Sequence, residues 1–554
     1  MILRLLACAA TLALALPAVA EPVLFTRMNG YTLDGKGALQ RFDALLVDEA
    51  GHVVAAGSEA PLRERAGDEV RIESLAGRTV LPGLIDAHGH LMGLGLALRQ
   101  ADLVGSRSLD EALKRVRDFA AARPNASWIV GNGWNQVIWK LGRFPTAAEL
   151  DSAVADRPVW LERVDGHAGW ANSAALRLAG IDRHTADPVG GRIERDAAGE
   201  PTGVLVDAAM SLVSSKVPAA DAAELSAALD GALQRLASLG ITSVHDAGID
   251  VDDYRLYRQY ADQARLTTRI YAMVRDTGED FDQIAASGPL LAYGNDHLTV
   301  RSVKMWADGA LGSRGAAMIE PYSDDPHNRG LLFRTPAELR AAVEKAFSHG
   351  FQVNIHAIGD AGVREVLDAY SQAYRRHPDA RGFRNRVEHS QIAALEDIPR
   401  YLPLQLVASM QPTHATSDMN MAEDRVGPRR ILGGYAWRRF LDQGTRIAGG
   451  SDFPVELPEP FYGLHAAVTR QDHENRPDGG WYPDQRMSRE EALRAFTLDA
   501  AWAAHEDDRL GTLEPGKWAD FIVLDRDYFQ VPEQDIWKIQ VLQTWVGGRQ
   551  VFLR

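Results

Sequence analysis

From about Thr242 onward, short apolar runs alternate with stretches whose apolar residues recur every three or four positions, the periodicities that separate strand from helix. The joint at helix 335–349 shows how sharply the sequence marks its elements. It opens with the capping box Thr335-Pro336-Ala337-Glu338, sets Leu339, Ala342, Val343, Ala346 and Phe347 on one face, and stops at Gly350. Strand 351–356 follows at once. A second helical stretch ends at Leu239-Gly240 and runs into strand 241–246. Further strand candidates are 268–274, 298–306, 384–389, 405–411 and 445–452, and with 80–87 they make eight.

Eight such strands with helices between them predict an α/β fold, a (β/α)₈ TIM barrel, although an open doubly wound sheet would satisfy the same count. The path from the first strand to the second covers residues of about 97–235, far beyond an ordinary βα loop, and reads as a large insertion after strand 1. It holds Ser108-Leu-Asp-Glu111, a capping box before an amphipathic helix, and a hairpin pattern over 191–203. An insertion at that end of a barrel is expected to overhang the mouth. Residues 22–79 and 510–554 have short alternating runs and Gly turns, such as Asp43-Ala-Leu-Leu-Val47 and Asp520-Phe-Ile-Val-Leu524, so that 21–79 and, after a last helix, the rest of 491–554 lie outside the barrel. The expectation is one small β-sandwich built from both ends of the chain around a barrel spanning 80–490.

Composition is ordinary for a globular chain of 554 residues, with 46% hydrophobic and 24% charged positions. Residues 1–20 carry Arg4, an apolar run over 5–16 and small residues at Ala18-Val19-Ala20, the pattern of a secretory signal cleaved near Ala20. The protein is therefore expected to be exported, periplasmic or secreted, with no stable membrane anchor. The formal charge of −15 becomes −16 without Arg4, which disfavours nucleic acid and leaves a small molecule as the expected partner. Cys8, the only cysteine, lies inside the signal. Any transition metal must then be held by His, carboxylate or something less usual.

That restriction draws attention to His88 and His90, where the apolar run Leu81-Pro-Gly-Leu-Ile-Asp-Ala ends in His-x-His. Alternate strand residues share a face, so both imidazoles are expected to point into one barrel mouth. Three more apolar strands end in metal-capable groups: Asn354-Ile-His356, Val387-Glu-His389 and Gly449-Gly-Ser-Asp452. Strand C-termini are where a parallel barrel carries its chemistry. Lys304 is unusual in its own right, because an ammonium on an inward-facing barrel position is costly unless paired or altered. Reaction with CO₂ to give a carbamate that bridges two cations, a pair with Asp308 or another nearby acid, and a lysine with a lowered pKa are the three readings. Trp134, His167 and Arg314 are candidate substrate contacts, with packing or a surface ion pair as the alternative for each. His245 and Asp246 end the second strand as plausible supporting partners, and tryptophans 128, 134, 139, 160 and 170 signal either an apolar pocket or an aromatic core.

With these stretches in view the sequence resembles the amidohydrolase superfamily, in particular its family 3 branch, which includes relatives named for N-substituted formamide deformylation. The resemblance covers essentially the whole chain after the signal. It rests on Leu81-Pro-Gly-Leu-Ile-Asp-Ala-His-Gly-His90, Gly131-Asn-Gly-Trp-Asn-Gln136, Asp165-Gly-His-Ala168, Lys304-Met-Trp-Ala-Asp-Gly309, Asn354-Ile-His-Ala-Ile-Gly-Asp360, Arg386-Val-Glu-His389 and Gly511-Thr-Leu-Glu-Pro-Gly-Lys-Trp-Ala-Asp520. It implies His88 and His90 as ligands of one metal, His356 and His389 of a second, Lys304 as the position carboxylated in binuclear members, and Asp452 as ligand and proton carrier. The implied cofactor is a divalent metal, zinc by expectation, as one or two ions. The implied activity is hydrolysis of a non-peptide carbon–nitrogen bond in an amide, formamide or cyclic amide. Lactone or ester hydrolysis is a close variant, and a secreted barrel that binds or regulates without turnover is the competing class.

Overall fold

The computed structural model describes residues 21–163 and 166–554. The signal-like residues 1–20 and Asp165 lie outside the described residues. Contacts divide the chain into one unit of Met1–Gly89 with Leu236–Arg554 and another of His90–Arg235.

In the first unit eight parallel strands hydrogen-bond to one another in chain order. They are β1 (Leu84–Gly89), β2 (Ile241–Ile249), β3 (Arg269–Arg275), β4 (Leu298–Trp306), β5 (Gln352–Ala357), β6 (Arg386–His389), β7 (Val407–Met410) and β8 (Ile447–Gly449). Parallel neighbours need crossovers, supplied by helices such as Val251–Asp262, Pro336–Ser348 and Asp360–Ala373. The result is an α/β fold of the TIM-barrel type. At Thr335 the capping box forms, with Thr335 Oγ1 accepting the Glu338 N–H at 3.3 Å and the Glu338 carboxylate accepting the Thr335 N–H at 2.9 Å. The apolar face read from the sequence, Leu339, Ala342, Val343, Ala346 and Phe347, is the buried one.

The first strand differs from the sequence reading. Run 80–87 is divided: Thr79–Pro82 pairs in another sheet, and the barrel strand starts at Leu84. Pro82 has no N–H to continue a ladder, and a Cβ on Gly83 would stand 2.2 Å from Thr242 Oγ1, so the chain steps between sheets where only glycine fits.

No strand ladder joins β8 to β1; polar groups stitch this seam instead. The Asp452 N–H donates to the His88 carbonyl at 2.7 Å, while the Ser451 N–H and hydroxyl donate to Asp86 at 3.1 and 2.7 Å. Burial pushes the Asp86 carboxyl up to about 7, against the Ser451 hydrogen bonds that favour its charged form. The approach is so close that a Cβ on Gly450 would lie 2.6 Å from the His88 nitrogen.

Strands from the two ends of the chain share a six-stranded sheet in which Thr79–Pro82 pairs antiparallel with Phe521–Leu524. A four-stranded sheet contains Val23–Thr26 and Ala44–Val47. Phe25, Val47, Val80, Phe521 and Trp545 belong to one apolar cluster drawn from both sheets. A buried ion pair ties this part to the barrel: Arg269 of β3 donates to both Asp520 oxygens, at 2.7 and 3.0 Å, and Asp520 also accepts the Gly547 N–H at 2.7 Å.

The second unit is built on a six-stranded sheet that includes the hairpin Gly191–Arg195 with Pro201–Asp207. Trp134, Trp139 and Trp170 lie in one of its apolar cores, and Trp160 in another with Trp128 packed against it. Ser108 caps its helix through the Glu111 N–H, but the reciprocal half of the expected box is absent: Glu111 accepts the Arg107 N–H instead. Having lost that return bond, Glu111 also pairs with Arg115 one turn on.

The seam predicts the outcome of one substitution. Gly450→Ala must displace the β1 backbone at His88, a core overpacking that costs about 1–3 kcal/mol. Chemical denaturation should show that loss, and an unchanged unfolding midpoint would mean that the seam opens without strain.

Candidate metal centre

The side chains with ligand chemistry gather at the C-terminal ends of five of the eight barrel strands. His88 is on β1, Lys304 on β4, His356 on β5, His389 on β6, and Asp452 follows β8. Nitrogen or oxygen atoms of His88, His389 and Asp452 all lie within 4.8 Å of one another, and the three residues are buried. The His356 ring lies 4.5 Å from that of His389, centre to centre, and its Nε2 is buried and makes no hydrogen bond.

Two of these residues reach the site by leaving regular strand geometry. Period-two alternation puts Glu388 and His389 on opposite faces, yet His389 has φ +73° and Ser390 +45°, so the backbone turns and brings both side chains to the cluster. Asp452 has φ +64°. Left-handed backbone at a residue with a side chain costs on the order of 1–3 kcal/mol and persists where surrounding contacts impose it.

Partners on the far nitrogens fix how the imidazoles present themselves. His88 Nδ1–H donates to Glu388 Oε2 at 2.5 Å, and His389 Nδ1–H donates to Gln411 Oε1 at 2.9 Å. In each ring this leaves Nε2 with its lone pair, the tautomer a metal needs. Burial opposes ionisation of Glu388, but His88, Arg386 and Lys304 around it hold its carboxyl down at about 2. Burial also keeps the rings neutral: His356 falls to about 3, with Lys304 adding to the effect, and His88 and His389 shift in the same direction.

Lys304 is buried, and Nζ donates to His88 Nε2 at 2.9 Å. The alternative of a pair with Asp308 is not what forms. Asp308 accepts the N–H groups of Ala317, Ile358 and Gly359 at 2.9, 3.0 and 2.8 Å. Burial pulls the Lys304 ammonium below its ordinary value. The donor set is thus several imidazoles held towards neutrality by burial, a carboxylate, a lysine whose ammonium form burial disfavours and a His356 Nε2 that makes no hydrogen bond and lies 3.6 Å from Asp308 Oδ1, and it fits a divalent cation.

The other sequence candidates lie in different settings. His90 belongs to the second unit as the N-cap residue of helix Leu91–Ala97 and is half-buried. Trp134 is fully buried and donates Nε1–H to the Leu161 carbonyl at 2.8 Å, so its ring serves packing in place of the expected substrate contact. Exposed His167 pairs with Asp207 at 2.9 Å. Arg314 forks onto Asp324 through Nε and Nη2 at 3.0 and 2.9 Å, the surface ion pair that its sequence setting allowed. His245 accepts from Arg386 at 2.9 Å, and Asp246 accepts the Tyr257 hydroxyl at 2.6 Å; both support the barrel interior.

Four residues beyond the sequence reading contribute. Glu388 and Gln411 orient ligand imidazoles, Asp86 holds the seam, and His414 stacks on His389 at 5.8 Å with its Nε2 3.6 Å from Asp452 Oδ2. Gln411 and His414 follow β7, whose C-terminal end carried a readable signal in Gln411-Pro-Thr-His414.

Residues 71–552 match the amidohydrolase family. The chain belongs to that family. This amidohydrolase is 36% identical to protein LONG AFTER FAR-RED 3 of Arabidopsis thaliana, across 95% of this chain and 91% of that one. It is 30% identical to N-substituted formamide deformylase of Arthrobacter pascens, across 95% and 97% of the two chains. Among solved structures it is similar to an uncharacterized metal-dependent hydrolase from Pyrococcus horikoshii, at a TM-score of 0.76 and 28% identity, covering 93% of this chain and 99% of that one. By family, then, the chain is a hydrolase.

Glu388→Gln tests the orienting role in this amidohydrolase. The amide keeps the size but loses the charge that fixes His88, and loss of such an outer partner typically weakens metal binding about 10–100-fold. Competition against a chelator measures it, and wild-type affinity would show that His88 needs no carboxylate.

Proposed function

We propose that the protein is a metal-dependent hydrolase of a non-peptide carbon–nitrogen bond in a small molecule, an amide, formamide or cyclic amide. The observation that carries this reading is the convergence of His88, His389 and Asp452 within 4.8 Å beside Lys304 and His356. Family membership supports hydrolysis, and the similarity to a relative named for formamide deformylation supports the bond type.

His88, His389, Asp452 and His356 would hold the cation, with His90 as a further ligand by the His-x-His pattern and zinc the metal that best suits these donors. A bound divalent ion supplies Lewis acidity to a carbonyl oxygen and acidifies water towards a pKa of ~7. Glu388 and Gln411 keep His88 and His389 in the receptive tautomer. Asp452 accepts the proton of the attacking water and returns it to the nitrogen, because an amine must be protonated to leave. The seam holds Asp452 in place for both transfers, through its own N–H on the His88 carbonyl. Lys304, whose ammonium form burial disfavours, would as a carbamate formed with CO₂ supply oxygen donors beside His88 to the cation.

Asp452→Asn should fold and lose about 10²–10⁴-fold in kcat at matched metal occupancy, since the amide keeps shape and one oxygen but neither takes nor gives the proton. Wild-type turnover would remove Asp452 from the chemistry. Lys304→Ala should lower metal content and activity, with short carboxylates such as acetate restoring part of the activity. Full occupancy and full rate in the alanine variant would show that Lys304 is no ligand.

A further inference from the structure

One helical turn from the cluster the chain forms a second, different environment. Helix Pro412–Asp418 sets His414 against Asp452 and, three residues later on the same face, Ser417 against Glu456, whose Oε1 accepts the Ser417 hydroxyl at 2.5 Å. Three residues of helix advance about 4.5 Å. A cleft of about 200 Å³ opens there, lined among others by Thr413, Ser417, Glu456, Tyr462, Asp472 and His473.

Three features of the cleft point to one ligand chemistry. Glu456 is half-buried, and among the described residues no lysine or arginine lines the cleft or pairs with its carboxylate; burial raises its pKa, while the neighbouring His414 ring and the Ser417 hydroxyl favour the anion that an arriving ammonium would stabilise. Tyr462 and His473 stack at 5.0 Å with planes 18° apart and present an aromatic wall. Thr413, only 9% exposed, holds a buried hydroxyl with no hydrogen-bond partner. A carboxylate with no lysine or arginine beside it, an aromatic face and a free hydroxyl acceptor together match a small alkylammonium group.

We propose that this cleft receives the nitrogen-bearing part of the substrate and holds the ammonium product. The assignment of that ligand as a reaction partner rests on the hydrolytic reading above. Cleavage of R–CO–NH–R′ by water gives R–COO⁻ and R′–NH₃⁺ at neutral pH, so a cation is produced beside Asp452, and Glu456 lies one turn away to take it up. Substrates with an amine or a strongly polarised N–H on the leaving side are then preferred over those with an acidic one.

Calorimetric titration of the metal-loaded protein with n-butylammonium and with uncharged butan-1-ol tests this. At pH 7 the ammonium nitrogen has no lone pair for a metal, so binding at the ion does not imitate binding in the cleft. The expected result is that butylammonium binds, that Glu456→Gln weakens it at least about 10-fold, the size of a lost charge-assisted hydrogen bond, and that butan-1-ol binds weakly to both. Glutamine keeps the oxygen that accepts from Ser417, and an unchanged melting curve certifies the fold. Thr413→Val, which removes only the hydroxyl, should weaken butylammonium by a smaller factor. Absence of butylammonium binding, equal affinity in Glu456→Gln, or equal affinity for the alcohol would each overturn the proposal. Ammonium binding that obeys Glu456 in a protein that turns over no amide, ester or lactone would sustain the cleft and overturn only the hydrolytic reading.

Discussion

The contact between the His88 backbone and the segment after β8 is the constraint on which the site depends. A barrel of eight strands must close on itself, and here the last pair closes without a ladder, through the Asp452 N–H on the His88 carbonyl and Ser451 on Asp86. The bonds that finish the barrel therefore set the distance between the His88 imidazole and the Asp452 carboxylate. Closure and chemistry share the same atoms, and Gly450 is small because nothing larger leaves the two backbones in reach.

Around that seam the electrostatics follow from exclusion of water. Inside the barrel an imidazolium or an ammonium is expensive, so burial holds His88, His356, His389 and Lys304 towards their neutral forms. Glu388 is the exception, kept anionic by the His88 ring that donates to it and by the Arg386 guanidinium. One fixed negative charge beneath several neutral donors is a polarity arranged for a cation, and the positive φ values at His389 and Asp452 record the strain accepted to aim those groups.

The elements with strong local signals were legible in the sequence. The helix after Thr335 has its cap, apolar face and stop within a short span, and the strand ends at His88, Lys304, His356, His389 and Asp452 follow apolar runs. What escaped depends on distant pairing. The break at Pro82-Gly83 is set by Asp520 and Thr242, and the roles of Glu388, Gln411 and His414 arise only when strands far apart in sequence converge. Trp134 and Arg314 are indistinguishable from ligand-facing residues until the Leu161 carbonyl and Asp324 are seen to occupy them.

The clamp between Arg269 and Asp520 has a consequence for the order in which the molecule is made. Asp520 and strand Phe521–Leu524 are synthesised after every barrel strand, yet they satisfy the guanidinium on β3 and the open edge of Thr79–Pro82 immediately before β1. Until the C-terminal segment is made, Arg269 has the Asp296 carbonyl but lacks its two bonds to Asp520, and Thr79–Pro82 is paired only on the edge facing Asn29–Leu33. Pairings of such long sequence separation form late and slowly. A chain of this design completes its fold only once its last strands are free to dock.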